Sequence, residues 1–351
     1  MGGQEQEGRR SARWRLGGIL ASLVSLPFLA LFAYRADWSD IGRVLGGIDP
    51  GWTAAAVGLL IASVAVRGLR WSLILSPIDR VPLRRLVAFS FIGLGANAVL
   101  PARAGELLKI ALVQRDSRAG FSSVIATVAL ERLFDLVALL ALLALVLAGL
   151  RPSSLEGISV ARSLEVVGAL FFAATISALV FFAFLVRWPG PTLGLCARIC
   201  SRLPARLAAP IVRALETFTE GLDALRSIAI VLKSLALSAI VWALNVVTFV
   251  AVAAALGLQI GLEGGALVVV AMAFAVALPQ APGYIGPFQV ACEAALLLCG
   301  VEVSAAKGFA IAAWVVGTVP MVVVALVLGW REGLSLRRLY VPQRDANAER
   351  P

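Results

Sequence analysis

Three ionisable side chains stand close together inside a long apolar stretch of the sequence: Glu131, Arg132 and Asp135. An ionisable residue inside a membrane span costs about 2.5–3.5 kcal/mol, so such residues face protein or a water-filled cavity. In a helix, Glu131 and Asp135 share a face, and Arg132 and Asp135 can form an ion pair. The cluster is therefore a candidate site for a polar headgroup. The alternative is an ion-pair staple without a substrate.

A second polar cluster surrounds a Leu-Pro break in the sequence: Asn97, Pro101, Arg103, Gly105, Glu106 and Lys109. Pro101 stops the incoming helix, and Gly105 permits a close backbone approach. The outgoing helix is expected to begin near Arg103 or Ala104, where its N–H groups and dipole can hold a phosphate. Arg103 suits this task because a guanidinium binds phosphate through two parallel hydrogen bonds. The alternative is that a nearby glutamate simply neutralises Arg103.

A pair of arginines and a second helix break extend the candidate site. Arg67 and Arg70 lie three positions apart and share a helix face. They are either snorkelling anchors or a source of positive charge for a headgroup pocket. The second break has no charge before Glu293 and is expected to form a backbone-shaped gate or seat. Its residues are Pro282, Gly283, Gly286 and Gln289.

The elements that must position these residues are long apolar helices. Hydrophobic residues make up 60% of the 351 positions and charged residues only 15%, whereas soluble domains carry about 25% charged residues. Apolar runs of about 20 residues are long enough to cross the ~30 Å hydrocarbon core of a bilayer. We therefore expect an all-α integral membrane protein without a soluble catalytic domain.

Composition also argues against several kinds of chemistry. The formal net charge of +10 is expected to reflect basic cytoplasmic loops beside anionic lipid rather than nucleic-acid binding. The chain contains no histidine, the commonest general base and metal ligand. Its four cysteines do not form a zinc-binding pattern. We expect no metal, no cofactor and no nucleic-acid partner.

Six uninterrupted apolar stretches are long enough to span a membrane: 17–34, 51–75, 122–150, 164–186, 228–256 and 305–330. Two more stretches, 86–113 and 264–299, are interrupted by proline. Lys and Arg are concentrated in alternate connections, which places both termini in the cytoplasm if each interrupted stretch returns to its own side. The sequence thus predicts six transmembrane helices plus two oppositely oriented re-entrant helical hairpins in a bacterial-type cytoplasmic membrane.

This layout predicts an inverted repeat. The order span, span, hairpin, span occurs in residues 17–150 and again, with opposite orientation, in residues 151–330, and both hairpins carry a Leu-Pro-x-x-x-Gly break. Inverted repeats with broken helices are typical of transporters, whose substrate site lies near the membrane midplane. The alternative is that proline and glycine merely kink two buried helices. A basic tail, 1–16, precedes the repeats, and a polar tail, 331–351, follows them.

An amphipathic segment lies at 193–225, in a loop of the second repeat. Arginines alternate there with apolar residues at helical spacing. A helix with such a face is expected to lie in the inner headgroup layer, where it can recruit anionic lipid.

The motifs at the two breaks and at the charged cluster resemble a known family. They are Asn97 followed by Leu-Pro-Ala-Arg-Ala-Gly-Glu at 100–106, Glu131-Arg132 with Asp135, and Pro282-Gly283 with Gly286 and Phe288. Over about residues 13–338, the chain resembles the membrane region of lysylphosphatidylglycerol synthases and a broad group of flippase-like membrane proteins. Tyr284 and Gln289 depart from this pattern, since the family commonly has Gly and Glu there.

The resemblance implies a membrane region that moves an aminoacylated lipid between leaflets, while a soluble C-terminal domain synthesises that lipid. Only a short polar tail follows Trp330 in this sequence, so the synthase activity is not carried over. The leading hypothesis is a lipid flippase or transporter, not an enzyme, that moves a phospholipid or polyprenyl-type lipid headgroup between leaflets.

In this hypothesis Arg103, Lys109 and Arg132 contact the phosphate of the headgroup. Three carboxylates balance the charge or meet a cationic headgroup: Glu106, Glu131 and Asp135. The expected partner is a membrane lipid with an anionic or lipid-linked headgroup, and a homodimer is one option for the assembly.

Two alternatives stay open. One is a membrane-embedded glycosyl- or acyltransferase that uses one of these carboxylates on a lipid-linked substrate. The missing histidine, the lack of an Asp-x-Asp metal pair and the short loops argue against it. The other is a membrane scaffold that binds a cytoplasmic partner through residues 193–225. ATP is not the expected energy source, because the sequence has no GxxxxGK[ST] loop.

Overall fold

The computed structural model describes residues 25–34, 36–100, 104–149, 158–200, 205–277 and 281–333 of the chain. Within these ranges every regular element is helical, which confirms the predicted all-α class. A helical segment at 25–33 precedes the α-helices. They are α1 Trp38–Gly46, α2 Pro50–Leu75, α3 Leu83–Val99, α4 Ala104–Asp116, α5 Phe121–Gly149, α6 Ile158–Arg187, α7 Pro189–Cys200, α8 Ala205–Glu220, α9 Ile228–Ala255, α10 Gly261–Ala277, α11 Pro287–Leu298 and α12 Val303–Arg331. Two short 3-10 helices, Asp223–Arg226 and Pro282–Tyr284, precede α9 and α11.

Several helices are long and apolar enough to cross a membrane. In the part of the chain that the structure describes, these are α2, α9 and α12. The end of α6 and the whole of α7 add a fourth crossing if they count as one span, with a bend of 114° between them. Helix α5 is 29 residues long, but three charged side chains lie within its first 15 residues. The chain is therefore a helical membrane protein, while the six-span arrangement and the location of both termini stay predictions.

Acidic residues mark the starts of two of the long helices. Asp49 Oδ1 accepts a hydrogen bond from Trp52 N at 2.8 Å, and Pro50 occupies the first position of α2. Glu302 Oε2 accepts a hydrogen bond from Ser304 N at 3.1 Å at the start of α12. A carboxylate at this position satisfies free N–H groups and interacts favourably with the helix dipole. These caps fix where the two helices begin.

Helices α3 and α4 form the first broken pair. They are separated by residues 100–103 and pack against each other. Gly105 makes this contact possible, because a Cβ atom there would lie 2.1 Å from Gly93 O and 2.6 Å from Asn97 N. Helices α3 and α4 therefore lie against each other on either side of the break. The re-entry of this pair from one side of a membrane stays a prediction.

Helices α10 and α11 form the second broken pair, and the 3-10 helix lies between them. Gly283 and Gly286 have φ angles of 80° and 101°, which glycine adopts without strain. Trp314 Nε1 donates a hydrogen bond to Gly283 O at 2.6 Å, and Gly286 N donates one to Gln289 Oε1 at 2.7 Å. The side chain of Gln289 therefore holds the turn.

The largest hydrophobic core lies among α5, α9, α10, α11 and α12. Its centre includes fully buried Val268, Val269 and Phe309. Outside this core, α2 packs along α9, and α3 packs along α12. The packing therefore crosses the sequence boundary between the two predicted repeats.

The amphipathic stretch 193–225 lies on two helices and a turn rather than on one helix. It includes most of α7, all of α8 and part of the 3-10 helix Asp223–Arg226. Helix α8 packs against α5, the helix that carries the charged cluster. Its position in a headgroup layer stays a prediction.

Candidate functional site

Seven charged side chains, which stand in three separate groups in the sequence, line one small cleft with an internal volume of about 20 Å³: Arg67, Arg70, Glu106, Lys109, Glu131, Arg132 and Asp135. The first two come from α2, the next two from α4 and the last three from α5. Ser90, Gly93 and Leu94 of α3 complete the lining. A volume of this size holds about one water molecule, so a lipid headgroup requires the cleft to widen.

Asp135 receives basic side chains from two helices. Its carboxylate oxygens lie 2.6 Å from Arg70 Nη1, 3.0 Å from Arg67 Nη1 and 3.8 Å from Arg132 Nη1. Arg70 also donates a hydrogen bond to Ser238 Oγ of α9 at 2.6 Å. The contact between Arg132 and Asp135 expected from helical spacing is present, but two arginines of α2 lie closer.

Arg70 is a buried member of the cleft and not a snorkelling anchor. Its side chain is 1% exposed, and its guanidinium contacts Asp135 and Glu131. A charge is buried at great cost unless it is paired and hydrogen-bonded, so these carboxylates are required to hold it there. The guanidinium of Arg67 also contacts Asp135, and its Cζ atom lies 5.8 Å from the ring centroid of Trp242.

Lys109 and Glu131 form a second buried pair, which joins α4 to α5. Lys109 Nζ lies 2.5 Å from Glu131 Oε2, and Arg70 Nη2 lies 3.6 Å from Glu131 Oε1. The ammonium also lies 3.8 Å from the centroid of the Trp71 ring, at cation–π distance. Lys109 therefore connects α4 to both α5 and α2.

Arg132 and Glu106 form the outermost pair of the cleft. The Arg132 side chain is 50% exposed, against 8% for Lys109. Glu106 Oε1 accepts a hydrogen bond from Arg132 Nη2 and, at 3.4 Å, one from Asn97 Nδ2. The 3-10 helix Pro282–Tyr284 of the second break packs against α3, which also lines the cleft. The two broken pairs therefore meet beside the cleft.

The charges of the cleft do not cancel. Among the described residues, four of the seven charged side chains that line it are basic and three are acidic, which leaves one positive charge. Electrostatic interactions are stronger away from bulk water, so this surplus attracts an anion. Arg132 is the most accessible of the cations, and its planar guanidinium matches the oxygens of a phosphate. The arrangement can therefore bind an anionic group at its mouth.

The remaining predicted residues have other positions. Pro101 and Arg103 lie outside the described residues. Asn97 stands beside the cleft and bonds Glu106, while Gly105 lies at the contact of α3 with α4. The residues of the second break form its turn and do not line the cleft: Pro282, Gly283, Gly286 and Gln289.

Two contacts with α9 were not predicted from the sequence: Arg70 contacts Ser238, and Arg67 contacts Trp242. The sequence does contain a signal for them, because Ser234, Ser238, Trp242 and Asn245 follow one another at spacings of four, four and three. This spacing places them on one face of an otherwise apolar helix. On the same face, Asn245 Oδ1 accepts a hydrogen bond from Ser63 Oγ of α2 at 3.4 Å. The polar stripe marks the side of α9 that meets α2.

Helices of membrane-spanning length with a charged cleft between them define an integral membrane protein that carries a polar site inside its helical bundle. Residues 18–325 match the family described as the lysylphosphatidylglycerol synthase TM region, and the chain belongs to that family. The resemblance expected from the motifs is therefore confirmed.

A curated relative named Glycosyltransferase AglD, from Haloferax volcanii, is 28% identical to this chain over 301 residues. The match covers 79% of this chain and 47% of the relative. The chain thus spans about half the length of the curated relative that it matches.

This similarity corrects one expectation. The expectation that the chain is not an enzyme is wrong, because a similar protein is named a glycosyltransferase. The missing histidine and the missing Asp-x-Asp pair argue only against particular kinds of catalytic site. Carboxylates alone can serve as general acids or bases, and the cleft contains three of them.

Proposed function

We propose that the chain binds the anionic headgroup of a membrane lipid in the charged cleft and moves that headgroup between leaflets. The observation that carries this proposal is the surplus positive charge of the cleft, with Arg132 half-exposed at its mouth. A phosphate can accept two hydrogen bonds from this guanidinium, while the hydrocarbon chains of the lipid stay in the bilayer. Membership of a family named after a lipid synthase favours a lipid over a soluble anion.

The buried carboxylates would hold the basic side chains in position before the headgroup arrives. Asp135 orders Arg70, and Glu131 orders Lys109. Side chains that are already ordered lose less conformational entropy when a ligand binds. The side chains of Arg132 and Glu106 are 50% and 22% exposed. Arg132 can therefore exchange Glu106 for a phosphate more easily than the buried residues of the cleft can change partners.

Movement of the two broken pairs relative to each other would carry the headgroup across. A Cβ atom placed on Gly283 would lie 3.7 Å from Ala98 O, so the second break touches the end of α3. In transporters with broken helices, access alternates by relative motion of such elements around a central site. We expect this contact between the breaks to open as the headgroup passes.

A lipid-transfer assay in reconstituted vesicles tests the proposal. Fluorescent phosphatidylglycerol in the outer leaflet is bleached by dithionite, and transfer from the inner leaflet increases the bleached fraction. Arg132→Gln is expected to slow transfer at least about tenfold, because it removes a charged hydrogen-bonding group from the mouth. Arg213→Gln, at an exposed position of α8, is the matched control and is expected to keep the wild-type rate. Equal rates in all three proteins would contradict the proposal.

Glycosyl transfer to a lipid-linked acceptor is a second candidate, favoured by the name of the relative. Glu106 is the carboxylate best suited to act as a base, since its Oε2 is buried and has no hydrogen-bond partner among the described residues. Glu131 and Asp135 are instead held by buried cations. Lipids incubated with the protein and activated sugars would gain the mass of a sugar unit, and Glu106→Gln would abolish that product. Lipids of unchanged mass would exclude this candidate.

A further inference from the structure

We propose that the helical segment 25–33 is a lid on the second broken pair, and that Lys307 locks this lid in place. The inference rests on the proposed function, because a lid serves a protein whose access alternates. It assigns a role to a buried ion pair, Lys307 with Glu293, that does not line the charged cleft.

The segment 25–33 rests on the protein by one narrow face. Ser25, Phe28 and Phe32 share this face, since they follow one another at spacings of three and four. Ser25 and Phe32 are buried, whereas Leu26 beside them is 57% exposed. A short helix with so few buried contacts can leave its position while the rest of the bundle stays packed.

The start of the segment covers the turn of the second break. Ala281 N donates a hydrogen bond to Ser25 Oγ at 2.8 Å. A Cβ atom on Gly286 would lie 2.7 Å from Ser25 O and 3.2 Å from Phe28 Cβ, so the two backbones are in close contact. The turn between α10 and α11 is therefore closed off on this side by the segment.

The end of the segment is held by Lys307 of α12. Lys307 Nζ donates a hydrogen bond to Phe32 O at 2.5 Å, lies 2.8 Å from Glu293 Oε1 of α11 and lies 4.7 Å from the centroid of the Phe32 ring. The last carbonyl groups of a helix have no partner inside that helix, and a lysine can satisfy one of them. Lys307 therefore joins the segment, α11 and α12 at one point.

The ion pair makes this lock reversible. The Lys307 side chain is 2% exposed, so its charge requires the carboxylate of Glu293. When the segment leaves, the ammonium keeps this carboxylate. Opening the lid then breaks a hydrogen bond to Phe32 O and a cation–π contact, but it leaves no buried charge unpaired.

The same kind of ion pair joins the equivalent helices of the first half. Lys109 and Glu131 join α4, the second helix of the first broken pair, to α5, the helix that follows it. Glu293 and Lys307 join α11, the second helix of the second broken pair, to α12. The charges are exchanged between the two pairs. In the predicted inverted repeat, such equivalent elements act toward opposite sides of the membrane.

The lock lies apart from the cleft along the helix axes. The helical rise places Lys307 about 20 Å from Met321 on α12. Met321 O would lie 2.6 Å from a Cβ atom on Gly95 of α3, two positions from Gly93, which lines the cleft. A hydrocarbon core is about 30 Å thick, so the cleft and the lock lie at different depths.

A cross-link tests whether the lid must open during transfer. The variant Ser25→Cys/Ala281→Cys places two thiols across the contact between the segment and the second break. A short bismaleimide joins them through thioether bonds, which dithionite does not cleave. In the vesicle assay, the cross-linked protein is expected to transfer phosphatidylglycerol at least about tenfold more slowly than the same variant without the reagent. Each single-cysteine variant, treated with the same reagent, is the matched control and is expected to keep its rate.

Hydrogen–deuterium exchange of the full-length protein in nanodiscs tests the lock without lipid transfer. The variant Lys307→Met/Glu293→Leu removes both charges, so it leaves neither member of the pair buried without its partner. It is expected to increase amide exchange of residues 25–33 at least about tenfold, as the loss of a hydrogen bond from a charged group implies. Arg43→Gln is the matched control and is expected to keep the wild-type exchange, because it removes a cation that is 76% exposed on the neighbouring helix α1.

The possible outcomes separate this inference from the proposed function. A cross-linked protein that transfers lipid at the rate of the untreated variant would overturn the lid. Unchanged exchange of residues 25–33 in the double variant would overturn the lock, whatever the rate of transfer. Wild-type protein that transfers no lipid, together with faster exchange in the double variant, would overturn the proposed function and support the lock.

Discussion

Arg70 is enclosed by helices from both halves of the chain. Its Nη1 atom lies 2.6 Å from Asp135 Oδ1 and 2.6 Å from Ser238 Oγ, and its side chain is 1% exposed. An ion pair in such a position gains little net free energy over apolar residues of similar size, but the loss of one partner leaves an uncompensated buried charge. The two residues are therefore expected to behave as a unit.

The residue-scale prediction concerns the stability of this unit. Asp135→Asn is expected to lower the free energy of unfolding by about 3–5 kcal/mol, because Arg70 loses its closest carboxylate. The double variant Arg70→Met/Asp135→Leu removes both buried charges and is expected to lose less, with Arg67 alone left without its carboxylate. Thermal unfolding in mild detergent, followed by circular dichroism, compares the two. A double variant as unstable as Asp135→Asn would contradict the prediction.

At the scale of elements, the first broken pair depends on two glycines that bring α3 and α4 into backbone contact. A Cβ atom on Gly105 would lie 2.1 Å from the carbonyl oxygen of Gly93, which no side-chain rotation can relieve. Two neighbours of Gly105, Glu106 and Lys109, line the cleft from α4. Any separation of α3 from α4 therefore moves charged groups of the site.

The element-scale prediction compares Gly105, which lies at a backbone contact between two helices, with Gly58, which has open space around it. Gly105→Ala is expected to destabilise the protein by about 1–3 kcal/mol, through overpacking, and to reduce lipid transfer. Gly58→Ala in α2 is the control, because nothing lies within 4 Å of a Cβ atom there. It is expected to gain about 0.5–1 kcal/mol, since alanine favours helix more than glycine does. A neutral Gly105→Ala variant would show that the two helices separate freely.

Helix positions could be predicted from the sequence more fully than contacts between helices. The apolar run 51–75 corresponds to α2, Pro50–Leu75, and the run 305–330 corresponds to α12, Val303–Arg331. Apolar length and acidic caps are local properties, so one sequence suffices to read them. The main contact of Asp135, in contrast, is Arg70, 65 positions away. This contact depends on the packing of α2 against α5, which cannot be read from a local sequence pattern.

At the scale of the whole molecule, the two predicted repeats interlock. A Cβ atom on Gly95 of α3 would lie 2.3 Å from Ala325 Cβ and 2.6 Å from Met321 O of α12. The end of α12 also joins the base of the first broken pair, because Arg85 and Arg115 both pair with Glu332. The last helix of the second half is therefore tied to the broken pair of the first half.

The molecule-scale prediction tests this tie through its dependence on salt. Glu332→Gln is expected to lower stability by up to about 1 kcal/mol at low ionic strength, as expected for a partly exposed ion pair. The loss should shrink as salt is added, because salt screens exposed charges. Thermal unfolding at two salt concentrations measures it, with Glu216→Gln at an exposed position of α8 as the control. A loss that salt does not change would contradict an ionic origin.

The surplus charge of the cleft also connects the protein to membrane voltage. The described residues that line the cleft carry one surplus positive charge, which a bound phosphodiester would neutralise. If access to the cleft alternates across the membrane, voltage therefore acts on the return of the empty protein and not on the loaded passage. One charge that crosses the whole field gains or loses about 2.3 kcal/mol per 100 mV. A voltage that is negative inside would then draw the empty cleft back toward the cytoplasmic leaflet.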